Sequence, residues 1–389
     1  MMRSSSLERN IVAVSGAVFL LALGENLWKR FLPKYLEALG APVTAIGLFG
    51  TCQDFLDGVY QYPGGWIGDR YGRRRALVCF VVLAMIGYGL YWCAPTWPLV
   101  FAGLVFVMAW SSMASPTLFA VVGDALPKER RALGFTVQSI LRRIPIAVAP
   151  MLGGLAIAAY GVLGGVRLGL ALTVALAVVT LAAVWRVNIP VTRDEVPTNI
   201  VAVWRSLPTP LRWLLTSDIL IRTCEGLVDV FLVLYAIDVV GISAPAYGVL
   251  IGVQAATAIV SYLPVARLAD RIGRKPFVIA TFIAFAAFPV AVVQAHDFTT
   301  LIGAFIVGGL REVGEPARKA MIVDLVRPSL RARSIGLYYL IRSLTIAPAA
   351  FIGGVLWSVT PALPFWMAGA IGLAGVAVFA ATVEERYAS

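Results

Sequence analysis

Long apolar runs dominate this chain, and short polar intervals break them every twenty to thirty residues. Residues 76–94 and 277–294 contain no Asp, Glu, Lys or Arg. A bilayer crossing needs about 20 such residues, and an unpaired backbone in hydrocarbon forces each crossing to be helical. The pattern predicts twelve crossings: 10–37, 43–68, 76–94, 98–122, 133–159, 165–186, 212–238, 245–268, 277–294, 299–322, 333–357 and 362–383. The fold class is therefore an all-α polytopic membrane protein. Residues 1–186 and 212–389 each hold six crossings. Residues 187–211, with Pro190, Pro197, Pro208 and Pro210, read as a linker on the cytoplasmic side.

Composition sharpens this. Sixty per cent of the 389 residues are hydrophobic and 14% are charged, against roughly 25% charged in a soluble domain. The net charge of +11 raises the prospect of a nucleic-acid partner, but the placement of the charges argues against one. Lys and Arg gather in alternate loops, at Arg70, Arg73, Arg74, Arg75, Lys128, Arg130, Arg131, Arg193, Arg205, Arg271, Arg274, Lys275, Arg327 and Arg331. The opposite loops (38–42, 95–97, 160–164, 239–244, 295–298 and 358–361) have none. This bias puts both termini in the cytoplasm and gives the basic loops anionic lipid as their counterpart. Cys52, Cys79, Cys93 and Cys224 form no CxxC pair, so neither a disulfide framework nor a metal site is expected. His296 abuts Asp297 in a short loop and reads as a loop or helix-capping residue.

The two halves echo each other. Glu25/Glu225, Phe31/Phe231, Tyr35/Tyr235, Pro116/Pro316, Asp124/Asp324, Arg142/Arg342 and Gly153-Gly154/Gly353-Gly354 all sit 200 residues apart. A basic turn, Gly65-Trp66-Ile67-Gly68-Asp69-Arg70-Tyr71-Gly72-Arg73-Arg74-Arg75, has a second copy at Ala266-Arg267-Leu268-Ala269-Asp270-Arg271-Ile272-Gly273-Arg274-Lys275. These turns resemble the loop 2–3 and loop 8–9 signature of the major facilitator superfamily. The resemblance implies two pseudo-symmetric six-helix halves that alternate access to a central site. It also implies a cytoplasmic conformational latch containing Asp69, Arg70, Arg73, Asp270, Arg271 and Arg274, extended by Asp124, Arg131 and Asp324. Ala149-Pro150-Met151-Leu152-Gly153-Gly154 partly resembles the glycine- and proline-rich fifth-helix segment of antiporters in that family, which tilts the expectation toward export.

Ionisable residues within crossings are the candidate chemistry, because each costs several kcal/mol unless paired or wet. Arg142 and Arg342, about 14 Å in from the helix end at 1.5 Å per residue, suit bidentate contact with a carboxylate or phosphate. They are the favoured substrate anchors, with Glu25, Gln53, Asp57, Gln138, Gln254 and Arg311 as further binding residues. Glu225, Glu312, Asp54, Asp229 and Glu315 are the proton-coupling candidates. The i,i+3 and i,i+4 spacings of Arg222–Glu225 and Arg311–Glu315 put each pair on one helix face, where an internal salt bridge is the competing role. Trp28 and Tyr338 are possible lining residues.

The expected function is secondary active transport of a small anionic or zwitterionic solute across a prokaryotic inner membrane. Transport would be driven by protons or another ion gradient and would need no cofactor, metal or nucleic acid, with the monomer as the working unit. A multidrug–proton antiporter, a cation or metal-complex carrier, and a non-transporting receptor or lipid-handling protein are the alternatives. Helix 4 lacks the base usual in multidrug antiporters, reading Ala109-Trp110-Ser111-Ser112-Met113. No nucleophile–base arrangement or phosphate-binding loop points to an enzyme.

Overall fold

The computed structural model describes residue 16 and residues 19–114, 131–185, 207–325 and 331–383. Among the described residues the chain is all helix, and twelve helical segments can be followed. Residues 19–38 form α1, Val43–Tyr71 α2, Arg73–Cys93 α3, and Trp97–Met108 begins α4. The stretch Arg131–Trp185 is two helices, α5 and α6, that meet at Gly161 (φ 72°), in the left-handed region open to glycine. Thr209–Val228 begins α7; α8 is Ala244–Ile272, α9 Lys275–Val293, and Phe298–Leu310 begins α10. Arg331–Ile346 and Ala349–Val359 make α11, and Leu363–Thr382 is α12.

By length and apolarity alone, six described stretches qualify as membrane spans: Arg73–Cys93, Arg143–Trp185, Ala244–Ser261, Lys275–Val293, Ser334–Val359 and Leu363–Thr382. Others are interrupted or charged, and the interruptions repeat. α1 tightens into a 3-10 turn at Lys29–Phe31 and α7 at Asp229–Phe231. The residues before the two turns have nearly the same backbone, Trp28 at φ −123°, ψ −25° and Val228 at φ −122°, ψ −21°.

Each kink lies at a close helix crossing. A Cβ on Gly153 of α5 would overlap the Leu27 carbonyl oxygen, and a Cβ on Gly353 of α11 would overlap that of Leu227. Above each kink a tyrosine ties the helix to its neighbour: Tyr35 donates to the Tyr91 carbonyl at 2.7 Å, Tyr235 to the Val293 carbonyl at 3.2 Å. The repeat read in the sequence is thus a repeat of contacts.

α4 and α10 break at matching places too. A π turn spans Ala109–Met113, and an irregular turn spans residues 311–314. Pro316 cannot donate to the carbonyl of residue 312, so α10 restarts as Glu315–Asp324. The amide of Gly314 donates instead to Thr281 Oγ1 of α9 at 2.6 Å, which satisfies backbone that hydrocarbon could not.

The described chain divides into two compact units. One is Met1–Ala41, Phe55–Glu195 and Ser243–Val249; the other is Pro42–Asp54, Val196–Ile242 and Leu250–Ser389. In the first, α3 packs on α4 and on the Arg131–Trp185 pair. There Gly154 lies so near α8 that a Cβ would stand 2.5 Å from the Ala244 carbonyl oxygen. In the second, α12 packs along α7 and α9, and α9 along α10. There Gly47 of α2 lies close to α11, where a Cβ would stand 2.5 Å from the Ala350 carbonyl oxygen.

Candidate functional site

In the second unit, α7 carries Asp218, Arg222 and Glu225 at i, i+4 and i+7, which lie along one face. At 1.5 Å per residue, Asp218 is about 14 Å and Glu225 about 24 Å from the start of α7. Across from them, α10 supplies Arg311 from its irregular turn and Glu315 and Arg318 from its restarted helix. α11 adds Tyr338 and Arg342, and α9 adds Phe285 and Phe288.

Asp218 is the hub. It is fully buried and its Oδ2 accepts from Arg318 Nη1 at 2.6 Å, Tyr338 Oη at 3.0 Å and Arg342 Nη1 at 3.4 Å. Arg318, equally buried, also grips Glu315 bidentately, Nη2 to Oε1 at 2.6 Å and Nε to Oε2 at 3.0 Å. Arg222 bridges outward, Nη1 to Glu225 Oε2 at 2.8 Å and Nη2 to Glu315 Oε2 at 3.1 Å. Arg311 Nη1 stands 3.6 Å from Glu225 Oε1. Four arginines therefore share three carboxylates in the ion pairs of this cluster among the described residues. The exposed Lys319 adds a further cation on Glu315 at 3.7 Å.

Aromatic faces complete the setting. The Arg222 and Arg311 guanidiniums lie 5.0 and 5.1 Å from the Phe285 ring, Arg311 also 4.3 Å from Phe288, and Arg342 4.7 Å from Tyr339. Such stacking stabilises a guanidinium in desolvated surroundings. Nε of Arg222, Nε of Arg342 and Oδ1 of Asp218 are buried and meet no hydrogen-bond partner among the described residues, the first and last of them standing 4.0 Å apart. Arg222 and Arg342 keep 18% and 17% of their side-chain surface, and Glu225 27%. The open edge of the cluster thus presents two arginines and one carboxylate.

The first unit has the same scaffold with different chemistry. Glu25, the counterpart of Glu225, is buried and its Oε1 accepts from Tyr88 Oη at 2.6 Å. Among the described residues it has no cationic partner. The positions matching Arg222, Arg311, Glu315 and Arg318 are Ala22, Ser111, Ser115 and Leu118. Trp28 is sealed between Tyr88 and Tyr91, and its Nε1 donates to Thr173 Oγ1 at 3.0 Å. Ser112, on the π turn of α4, donates to Asp57 Oδ1 at 2.6 Å. Arg167 caps the end of α3 by donating to the Ala94 carbonyl at 2.9 Å.

Of the expected binding residues, Arg342 and Arg311 thus join the charge cluster, whereas Gln53 and Gln254 are half-buried elsewhere in that unit. The side chains of Arg142 and Gln138 lie outside the described residues. Of the coupling candidates, Glu225 and Glu315 belong to the cluster. Glu312 and Asp54 are half-buried, and Asp229 is exposed on the 3-10 turn. Of the latch residues, Arg70 is exposed, Arg73 buried and Arg274 half-buried at the start of α9. The side chains of Asp69, Arg131, Asp270, Arg271 and Asp324, and the whole of Asp124, lie outside the described residues.

Two expectations change. Arg311 does not pair with Glu315, because the helix breaks between them; Arg311 turns to Glu225 and Phe288 while Glu315 takes Arg222 and Arg318. Trp28 and Tyr338 are both buried and present no surface to a solute; Tyr338 instead donates to Asp218. Asp218 and Arg318 escaped the sequence reading. Their spacing held the signal, with 218, 222 and 225 forming one helical stripe and 311, 315 and 318 another.

The family model of the Major Facilitator Superfamily matches residues 14–238 and 214–389. An uncharacterised MFS-type transporter of Methanocaldococcus jannaschii is 22% identical over 384 residues, covering 92% of this chain and 91% of that protein. The multidrug resistance protein MdtG of Proteus mirabilis is 26% identical over 354 residues, covering 85% of each. Among solved structures, the nucleoside transporter NupG superposes with a TM-score of 0.80 at 12% identity, over 96% of this chain and 100% of that one.

Proposed function

Since the chain belongs to the Major Facilitator Superfamily, we propose that it is a proton-coupled secondary transporter of a small anionic or zwitterionic solute, working in the export direction. The observation that carries the reading is the charge surplus among the ion pairs of the described residues, four arginines against three carboxylates around Asp218. An unbalanced buried cation is costly, and a carboxylate or phosphate held at Arg222 and Arg342 offsets it. Both arginines keep part of their side-chain surface, 18% and 17%, through which such a guest would reach them. Glu225, shared by Arg222 and Arg311, is the natural proton acceptor, because protonating it loosens both arginines for the anion. The prokaryotic inner membrane, with both termini cytoplasmic, is the location this reading implies.

Proteoliposomes loaded with candidate carboxylates, phosphates and amino acids test the proposal by counterflow. The expected result is saturable exchange of an anionic or zwitterionic solute, lost in Arg342→Gln and uncoupled from the pH gradient in Glu225→Gln. Unchanged exchange by Arg342→Gln would reject the anchor. The similarity to MdtG favours a second reading, multidrug efflux. That reading expects lipophilic cations to compete for transport and anions not to.

A further inference from the structure

At the basic end of the first unit, three helix ends meet: the end of α2, the start of α3 and the end of α6. The chain turns between the first two at Gly72 (φ 91°), in the left-handed region where a Cβ is strained. Around this turn Trp66, Tyr71 and Trp185 are exposed, at 45%, 55% and 59%. Arginines cover them. The Arg70 guanidinium lies 4.9 Å from the Trp66 ring and 5.9 Å from that of Tyr71, and the two rings pack edge to face at 6.1 Å. The Arg74 guanidinium lies 5.4 Å from Trp185. Arg75 is exposed beside them. Arg70, Arg74 and Arg75 form no ion pair with a carboxylate among the described residues.

We propose that this cluster is a binding site for the phosphodiester headgroup of an anionic phospholipid. A guanidinium that stacks by its face keeps its in-plane N–H edge, which fits two oxygens of a phosphate. Trp and Tyr rings favour the level of the headgroups, so the same side chains that hold the arginines also set their depth. Charge complementarity selects the lipid class: three cations without an ion-paired carboxylate among the described residues attract an anionic headgroup more strongly than a zwitterionic one, about fivefold per arginine. A free anion would use the arginines but has no use for three exposed rings, which acyl chains and glycerol cover. Arg73 on the same turn is buried and takes no part.

The test uses the full chain in nanodiscs of phosphatidylcholine doped with either brominated phosphatidylglycerol or brominated phosphatidylcholine, read by tryptophan quenching. The expected result is quenching by the glycerol lipid at least about fivefold lower in half-saturating mole fraction. That preference falls to parity in Arg70→Gln/Arg74→Gln and recovers in part in Arg70→Lys/Arg74→Lys, which keeps charge without the bidentate fork. Millimolar inorganic phosphate should leave the preference intact. Equal quenching by the two lipids in the native chain, or an undiminished preference in the glutamine pair, overturns the proposal. Displacement by phosphate overturns it in favour of a free-anion site. If the glutamine pair fails to fold, Trp66→Phe/Trp185→Phe decides: loss of the lipid-selective quench places the contact at these rings, and its persistence places the lipid elsewhere.

Discussion

Replacing Asp218 by Asn should destabilise the protein more than replacing its closest partner, Arg318, by Gln. Viewed as a simple pair, Asp218–Arg318 at 2.6 Å with both side chains 1% exposed predicts similar losses. The cluster predicts otherwise. Asp218→Asn leaves four arginines on two carboxylates, whereas Arg318→Gln leaves three on three. Asp218 would still have Arg342 at 3.4 Å, Arg222 at 4.0 Å and Tyr338, and Glu315 would still have Arg222. Breaking a buried pair and stranding a charge costs about 3–5 kcal/mol, so Asp218→Asn should lose about that. Arg318→Gln forfeits hydrogen bonds but restores balance, and should lose roughly half as much. At about 2 °C per kcal/mol for a chain of this size, detergent melts followed by tryptophan fluorescence should fall about 6–10 °C and 3–5 °C. The double variant returns to a surplus of one and should melt above the sum of the two losses. Equal single-variant losses, or a larger loss in Arg318→Gln, would refute the charge-balance argument.

Gly153→Ala and Gly353→Ala each drive a methyl into the carbonyl oxygen of a kinked helix, and should lower the melting temperature by the equivalent of about 1–3 kcal/mol. Gly336→Ala, with open space around it, should change little; comparable melts for all three would show that the crossings do not govern the kinks. Asp297 caps α10, accepting from the Thr300 amide and hydroxyl at 2.7 Å each. Those bonds, the backbone one foremost, hold its carboxyl below the usual range. A depressed carboxyl stabilises above its unfolded pKa of about 4 and loses that stabilisation as pH falls through the folded value. The melting advantage of the native chain over Asp297→Ala should therefore be present at pH 7 and shrink below about pH 4; an advantage constant down to pH 2 would count against the cap. Tyr88→Phe leaves Glu25 without its described hydrogen bond. It should cost about 1–3 kcal/mol in thermal stability, and an unchanged melt would show that Glu25 has another partner.

The scaffold was legible because hydrocarbon leaves a sequence few options. Apolar runs had to be helices, and the 200-residue echo of Gly153-Gly154 in Gly353-Gly354 marked crossings too tight for any other residue. The helix interruptions were harder to read. Pro316 signals a break in α10, yet α7 kinks at Asp229 with no proline near it, at a place where a glycine of another helix, Gly353, packs against Leu227. The site suffered from the same blindness. Reading α10 as continuous put Arg311 and Glu315 on one face; its break sends them to different partners. Asp218 was invisible as a hub because its three arginines come from three helices, a convergence that no single periodicity contains.

The two units separate what repetition preserves from what it frees. Kink, glycine crossing and tyrosine tie are common to both, so they answer to backbone packing that each unit must solve. Most charges of the second unit's cluster are not common. Glu25 and Glu225 occupy equivalent positions on α1 and α7, yet one meets a tyrosine hydroxyl and the other two guanidiniums. A buried network of ions is weak evidence for stability, because apolar residues of the same volume serve as well. Within the same chain, the positions of Arg222, Arg311 and Arg318 are taken in the first unit by Ala22, Ser111 and Leu118, while Arg342 keeps a counterpart in Arg142. Stability alone therefore does not explain why the second unit carries seven interacting charges in its interior. Their cost is explained if the cluster serves a function that packing does not, and its open edge, with Arg222, Arg342 and Glu225 still partly exposed, is where that function would be exercised.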